Sequence, residues 1–376
     1  MQNKVLLQFR RFDGVLLAAT GLLILLGLIV LYSSGLKVGA TASQLDTSRQ
    51  VIYVGVGLLI FWIISRTDYN VLRNYSFLIY ITMVGLLLFV EIFGATRLGA
   101  TRWINLGFFQ FQPSEFAKLA LIVVLAKFFS DNYEKSNNIK YLLMSFVYLL
   151  PPLVLVLAQP DLGTALVLLV IWLAMALTTK LKTRYFLIML AILIVSLPVI
   201  YPRLAPYQRQ RIATFVNPTA NPDSTGYNVN QAIIAVGSGG LFGQGLSSGS
   251  QSQGNFLPSQ HTDFIFAVLS EKLGFLGGLL CVFLYCVVIF RAIWIAKNSA
   301  DRFGTLLAIG IATMFAFHAV VNIGMNIGLL PVTGIPLPFI SAGGTSMMIS
   351  LISIAILESI YGRRRSISLN TKEIYE

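Results

Sequence analysis

Residues 14–34 read GVLLAATGLLILLGLIVLYSS, a run of 21 residues without a charge. Crossing the hydrocarbon core of a bilayer takes about 20 residues of helix. Lys4, Arg10 and Arg11 precede the run, as basic residues precede a secretory signal, and Ala40-Thr41-Ala42 mimics a cleavage site. The apolar part of a signal is only about 7–15 residues long. The run therefore reads as a retained first membrane span. Nine more windows follow: 50–65, 75–95, 114–130, 141–158, 162–179, 185–201, 274–296, 303–329 and 339–361. The second and seventh are short, and Phe264 to Leu269 reads as a half-helix leading into the eighth.

Composition agrees. The chain is 56% hydrophobic and 11% charged, against about 25% charged in soluble domains. The expected fold is an all-α integral membrane protein of about ten transmembrane helices, one polytopic domain over residues 1–376. The net charge of +12 does not point to nucleic acid, because the basic residues form short clusters between apolar runs rather than a stripe. With ten spans, one side and its span ends hold 18 of the 27 basic residues: Lys4, Arg10, Arg11, Arg66, Arg73, Lys127, Lys135, Lys140, Lys180, Lys182, Arg184, Arg291, Lys297, Arg302, Arg363, Arg364, Arg365 and Lys372. By the positive-inside rule that side is cytoplasmic, with both termini. Cys281 and Cys286 lie in one apolar run and read as packing residues.

One interval differs. About 202–262 the chain is polar, rich in Gly, Ser, Asn and Gln, with aromatic residues that can anchor it at the interface. It reads as one long extracytoplasmic loop without a soluble domain. Once the topology charges are removed, the remaining polar groups all fall on or near that same side. They are Arg102-Trp103, Gln112-Pro113-Ser114-Glu115 with Lys118, Gln159-Pro160-Asp161-Leu162-Gly163-Thr164, Tyr207-Gln208-Arg209-Gln210-Arg211, His261-Thr262-Asp263 and Pro336 to Thr345.

Each has a structural explanation. Pro113 and Pro160 suit a first helical turn. Glu115, Asp161 and Asp263 then meet positive helix ends, and Thr262 suits an N-cap. A helix N-terminus at Asp263 would hold its carboxylate ionised, a weak base. Glu115 and Lys118 share a helix face inside an apolar span, where charges are either functional or an ion pair that locks the bundle. Arg209 and Arg211 either snorkel to the interface or bind phosphate oxygens bidentately. His261 is a loop hydrogen-bonder or a site member, and His318, alone in its span, reads as a bundle residue. Gly343-Gly344 allows close approach of a ligand or of another helix. No G-x-x-x-x-G-K-[ST] motif occurs, so no nucleotide is indicated. On an outer face the energy must come with the substrate or from an ion gradient. A lipid-linked, diphosphate-activated sugar fits the first case, with a carboxylate taking the proton of an attacking hydroxyl.

At these residues the chain resembles the SEDS family (shape, elongation, division and sporulation). The marks are Arg102-Trp103, Phe111-Gln112-Pro113-Ser114-Glu115, Gln159 to Thr164, Tyr207 to Arg211 and His261 to Ala267. Gln251-Ser252-Gln253 and the Tyr-Gln-Arg-Gln-Arg run look more like the rod-shape branch than the division branch. The resemblance implies a peptidoglycan glycosyltransferase of the bacterial cytoplasmic membrane, polymerising lipid II on its outer face. The 4-hydroxyl of one disaccharide attacks C1 of the undecaprenyl-linked glycan, with inversion to a β-1,4 bond. It implies Asp263 as the essential carboxylate, with Arg102, Glu115, Lys118, Asp161, Arg209, Arg211 and His261 toward substrate. It implies a class B penicillin-binding protein as partner, and a divalent cation, Mg or Mn, to help the diphosphate leave, although no ligand set is legible. Ala342 departs from a tyrosine seen in relatives and is a poor candidate for a side-chain role. Two competing readings stand beside this one: a lipid flippase or transporter, which should line a path through the midplane, and a non-catalytic scaffold.

Overall fold

The computed structural model describes residues 12–34, 41–97, 100–105, 107, 110–180, 182, 184–185, 202, 206–216, 225–254 and 256–364. It is mostly helical. The long helices are α1 (Gly14–Ser34), α2 (Thr41–Arg66), α4 (Ser76–Phe93, after the short α3, Asn70–Asn74), α5 (Pro113–Asp131), α6 (Ile139–Ala158), α7 (Leu162–Leu177), α11 (Ile265–Lys297), α12 (Arg302–Asn326) and α13 (Gly344–Gly362). Nine of the ten expected windows coincide with these helices. The seventh, 185–201, lies outside the described residues after its first position, as do Lys4, Arg10, Arg11, Arg365 and Lys372 among the topology charges. Among the described residues seven helices are long and apolar enough to cross a membrane. The other two are α5, which carries Glu115, Lys118 and Lys127, and α7, which is only 16 residues long.

α5 is the most enclosed helix, packed by α4, α6, α7, α12 and α13. Its residues from Ala117 to Ala126 are all buried, Lys118 included. The outer helices turn large apolar side chains outward instead: Phe77, Ile92 and Phe93 on α4 and Phe283 and Phe290 on α11. Such a surface suits lipid, which is as apolar as the side chains themselves.

Two regions differ from the expectation. Between α4 and α5 a small antiparallel sheet forms, with β1 (Ala95–Arg97), β2 (Ala100–Asn105) and β3 (Gln110–Phe111) in that order. Asn105 pairs with Gln110, and Gly107 supplies a positive φ of 84° between them. The interval 202–262 is not one irregular loop. It holds α8 (Pro206–Val216), α9 (Thr225–Ser238) and α10 (Ser250–Gln253). α9 forms because Ala232 and Ala235 repeat at helical spacing and are fully buried, with the helix packed on α11.

The half-helix expected at Phe264 is present. α11 breaks at Gly274 (φ 69°, ψ −166°), which leaves Ile265 to Leu273 as a separate segment. A Cβ at Gly274 would stand 2.3 Å from the Gly243 nitrogen and 2.6 Å from the Leu241 carbonyl. Only glycine allows the 240–245 turn to come that close. The Glu271 carboxylate holds the same region by accepting the Gln251 and Ser252 N–H groups at 2.8 and 3.1 Å. The Lys272 ammonium donates to the Ser248 carbonyl at 2.6 Å.

Charge separates the two ends of the bundle. At one end Arg291 pairs with Asp13, Arg73 with Asp131, Arg363 with Asp68, and Lys180 and Arg302 with Glu134. At the other end the starts of α5, α7 and α13 meet the turn that leads into α11.

Candidate active site

Asp161 stands just before α7 as its N-cap. Its carboxylate accepts from the Thr164 N–H at 3.1 Å and the Thr164 hydroxyl at 3.0 Å. Ser114, in the first turn of α5, donates to the same carboxylate at 3.4 Å. Pro113 opens α5 as expected, whereas Pro160 lies ahead of the Asp161 cap, outside the first turn. Arg102 on β2 ties the sheet to this corner. Its Nε donates to the Gln159 carbonyl at 2.8 Å, it also donates to the Pro160 carbonyl, and it lies 3.9 Å from Asp161.

Asp263 faces the same space. The 333–336 segment between α12 and α13 runs beside it. A Cβ built at Gly334 (φ +74°) would lie 3.6 Å from Asp263 Oδ2 and 3.9 and 4.0 Å from the two terminal nitrogens of Arg211. Asp263 and Arg211 therefore flank the same glycine, and Arg211 also donates to the Thr333 carbonyl at 3.1 Å. Gly163 lets α7 approach this segment, since a Cβ there would meet the Thr333 carbonyl at 2.8 Å. Burial raises the Asp263 carboxyl above the ordinary aspartate range, opposed by Arg211, the Thr262 hydroxyl and Arg102, while Asp161 adds to the rise.

This differs from the expectation of a carboxylate whose charged form a helix end favours. α11 begins at Ile265 with Phe264 as N-cap and no side-chain cap, so Thr262 does not cap it and Asp263 stands outside its first turn. Desolvation wins over a dipole that falls off within one turn.

The other expected residues sort by position. Glu115 and Lys118 form a buried pair, with Nζ 2.6 Å from Oε1, and Lys118 Nζ also lies 3.0 Å from His318 Nε2. An ammonium only donates, so Nε2 accepts and His318 Nδ1–H donates to the Pro336 carbonyl at 2.9 Å. The pair thus reaches the segment beside Asp263 through His318 rather than lining the open space itself. The His261 ring is turned toward the end of α1, with Nδ1 3.2 Å from Ser34 Oγ. Arg209 is exposed and donates to the Pro202 carbonyl at 2.7 Å.

Sequence reasoning missed Asn322 and Asn326. Both are fully buried on α12 and both donate to the Asp263 carbonyl at 3.0 Å. Their signal was two amides one helical turn apart in an apolar span, where polar groups are costly and mark function. No three His, Cys, Asp or Glu side chains cluster as a cation site among the described residues.

The cell cycle protein family that takes in FtsW, RodA and SpoVE matches residues 14–366. The chain belongs to this family. It is 37% identical to peptidoglycan glycosyltransferase MrdB of Escherichia coli K12 over 359 residues, 95% of this chain and 96% of the relative. Its fold matches a chain from a peptidoglycan synthase complex that coordinates polymerization and crosslinking, with TM-score 0.80 and 28% identity over 93% of this chain and 97% of that one. It also matches the rod shape determining protein RodA of Thermus thermophilus, with TM-score 0.69 and 26% identity over 95% and 99%.

Proposed function

We propose that this protein, a peptidoglycan glycosyltransferase of the bacterial membrane, polymerises lipid II with Asp263 as general base. The observation that carries the assignment is the unlike use of similar residues. Asp13, Asp161 and Asp301 all spend their carboxylates on the first turn of the helix they precede. Asp263 lies ahead of α11, stays out of its first turn, and shares a space with Arg211, Arg102 and Asp161.

The chemistry follows from that neighbourhood. A carboxyl raised by burial is a stronger base than a solvated aspartate, better matched to a sugar hydroxyl. It takes the proton of the acceptor 4-hydroxyl as the oxygen bonds to C1 of the undecaprenyl-linked glycan. The bond from C1 to the diphosphate breaks, and its electron pair leaves with undecaprenyl diphosphate. Attack from the opposite face gives inversion and a β-1,4 bond. Charge grows on the leaving diphosphate, where Arg211 and Arg102 can receive it bidentately. The end of the bundle bearing these groups is the outer face, and the end bearing Arg73, Arg291, Arg302 and Arg363 is cytoplasmic with both termini. The apolar helix faces would take the isoprenoid tail. A class B penicillin-binding protein is the partner that crosslinks the product.

The test is lipid II polymerisation by the purified protein with that partner. Asp263→Ala and Asp263→Asn should lower kcat by about 10²–10⁴, the range for a positioned base. Unchanged polymer from Asp263→Ala would remove the base assignment. Wild type that makes no polymer yet moves labelled lipid between leaflets would make the protein a transporter.

A further inference from the structure

Three buried polar side chains repeat along one face of α12 at intervals of four: His318, Asn322 and Asn326. An amide in an apolar span is costly unless its hydrogen bonds are made. Here they are made to the segments around Asp263. The Asn322 amide donates to the Asp263 carbonyl at 3.0 Å and to the Ile335 carbonyl at 2.9 Å. The Asn326 amide donates to the Asp263 carbonyl at 3.0 Å, while its oxygen accepts the Ala267 N–H at 3.1 Å.

Residues 263 and 267 are four apart. Continued one residue toward its N-terminus, α11 would follow its first bond, Val268 N–H to the Phe264 carbonyl, with one from the Ala267 N–H to the Asp263 carbonyl. The Asn326 carboxamide stands between them and satisfies both. The helix therefore starts one residue later, and Asp263 is kept from the N-cap position that Asp161 and Asp301 hold before their helices. Asn322 fills the second lone pair of the same carbonyl and ties it to the strand of chain that carries Gly334. Fixing that carbonyl fixes the peptide plane after Asp263 and hence the direction of its side chain.

We propose that Asn322 and Asn326 are a positioning pair for the Asp263 carboxylate, acting through its main chain; this rests on the reading of Asp263 as the base. The charged groups that face the carboxylate are Arg211 from α8, Arg102 from β2 and Asp161 from α7. A carboxylate freed to rotate loses its register with Arg211.

The test uses the full-length protein with its partner and lipid II. Asn322→Leu and Asn326→Leu keep the branched shape and remove the amide. Each should lower kcat about 10–100-fold, the cost of displacing a catalytic group by about 1 Å, with KM within about twofold. The acidic limb of the kcat/KM profile should move upward, because Arg211 no longer favours the ionised form. A purely structural pair would lower the melting temperature and leave the limb in place. Folded variants with wild-type kcat and an unmoved limb overturn the proposal, as does a loss confined to KM. Should Asn326→Leu fail to fold because the Ala267 N–H is orphaned, Asn322→Leu decides, since that bond stays intact. Asp263→Ala is the control. If it retains activity, the base assignment fails; if it is dead while both asparagine variants behave as wild type, only the positioning pair fails.

Discussion

Asp13 and Asp263 each stand just ahead of a membrane helix, at opposite ends of the bundle. Arg291, the partner of Asp13, lies 28 residues along the chain from Asp263, roughly 40 Å of helix. Every acceptor position of Asp13 is used. One oxygen takes the Val15 and Leu16 N–H groups at 3.2 Å, and the other takes Arg291 Nε and Nη2 at 2.8 and 2.5 Å. At Asp263 the side chain caps no helix and the main chain is anchored, by two asparagine amides on one carbonyl. A carboxylate committed to the fold has nothing left for a substrate. One whose backbone carries the anchoring can face charged neighbours and still react.

The comparison breaks most visibly by exchanging effects. Asp263→Asn should lower kcat by about 10²–10⁴ and leave the melting temperature unchanged or higher. Asp13→Asn should leave activity per folded molecule near wild type and cost about 3 kcal/mol of stability, by stripping Arg291 of a buried partner. Polymerisation kinetics and detergent melting curves on the same preparations give both numbers. The reverse assignment of effects would end the contrast.

The Glu115–Lys118 pair lies between these extremes. Lys118→Met leaves a buried carboxylate unpaired and should cost about 3–5 kcal/mol, with activity lost alongside the fold. Adding Glu115→Gln removes the orphaned charge, and melting should recover. We expect kcat to stay about tenfold low in the double variant, because His318 Nε2 has lost the ammonium that orients it toward Pro336. Full recovery of kcat would make the pair a lock of the bundle only.

Acid separates Asp263 from a carboxylate at the opposite end, Glu134, more gently. The folded pKa of Asp263 lies above its unfolded value. Between the two values the folded state holds more protons, so stability falls as pH rises through that window and increases on acidification. With Asp263 as the proposed base, activity needs the ionised form and runs the other way. As pH falls through the raised pKa, turnover should fade while this group stabilises the fold. Glu134, at the opposite end, behaves oppositely: Lys180 holds its carboxyl below the usual range, so its small contribution is lost on acidification. Subtracting the Asp263→Asn melting curve from wild type across pH isolates the Asp263 term. A difference that does not change with pH would refute the raised pKa.

The spans were legible because about 20 uncharged residues leave few alternatives in lipid. The half-helix before Gly274 showed as a polar-to-apolar change at Phe264. The interval 202–262 was not legible as helices, because composition alone reads polar. α9 earns its stability from burying Ala232 and Ala235 against α11, a tertiary effect. The role proposed for Asp263 was visible only through resemblance, since its sequence context equally suits a helix end. Asn322 and Asn326 were legible in principle from their spacing in an apolar span.

The smallest expected effect concerns Arg209 and Arg211, which the sequence presents as equals. Both lie on α8, two residues apart, and such residues do not share a helix face. Arg211 reaches Thr333 and the Asp263 side of Gly334, whereas Arg209 is exposed toward Pro202. Only one of them can therefore act on charge that develops at the reacting centre. Arg211→Ala should lower kcat/KM mainly through kcat, and Arg211→Lys should not restore it, because an ammonium cannot grip a phosphate bidentately. Arg209→Ala should raise KM a few-fold, roughly 0.5–1 kcal/mol of uniform binding for an exposed charge, and leave kcat alone. Added salt should erase the Arg209 effect and largely spare that of Arg211, since screening acts on exposed charges first. Equal losses of kcat from both substitutions would mean that α8 turns in the substrate complex to bring Arg209 round to the diphosphate.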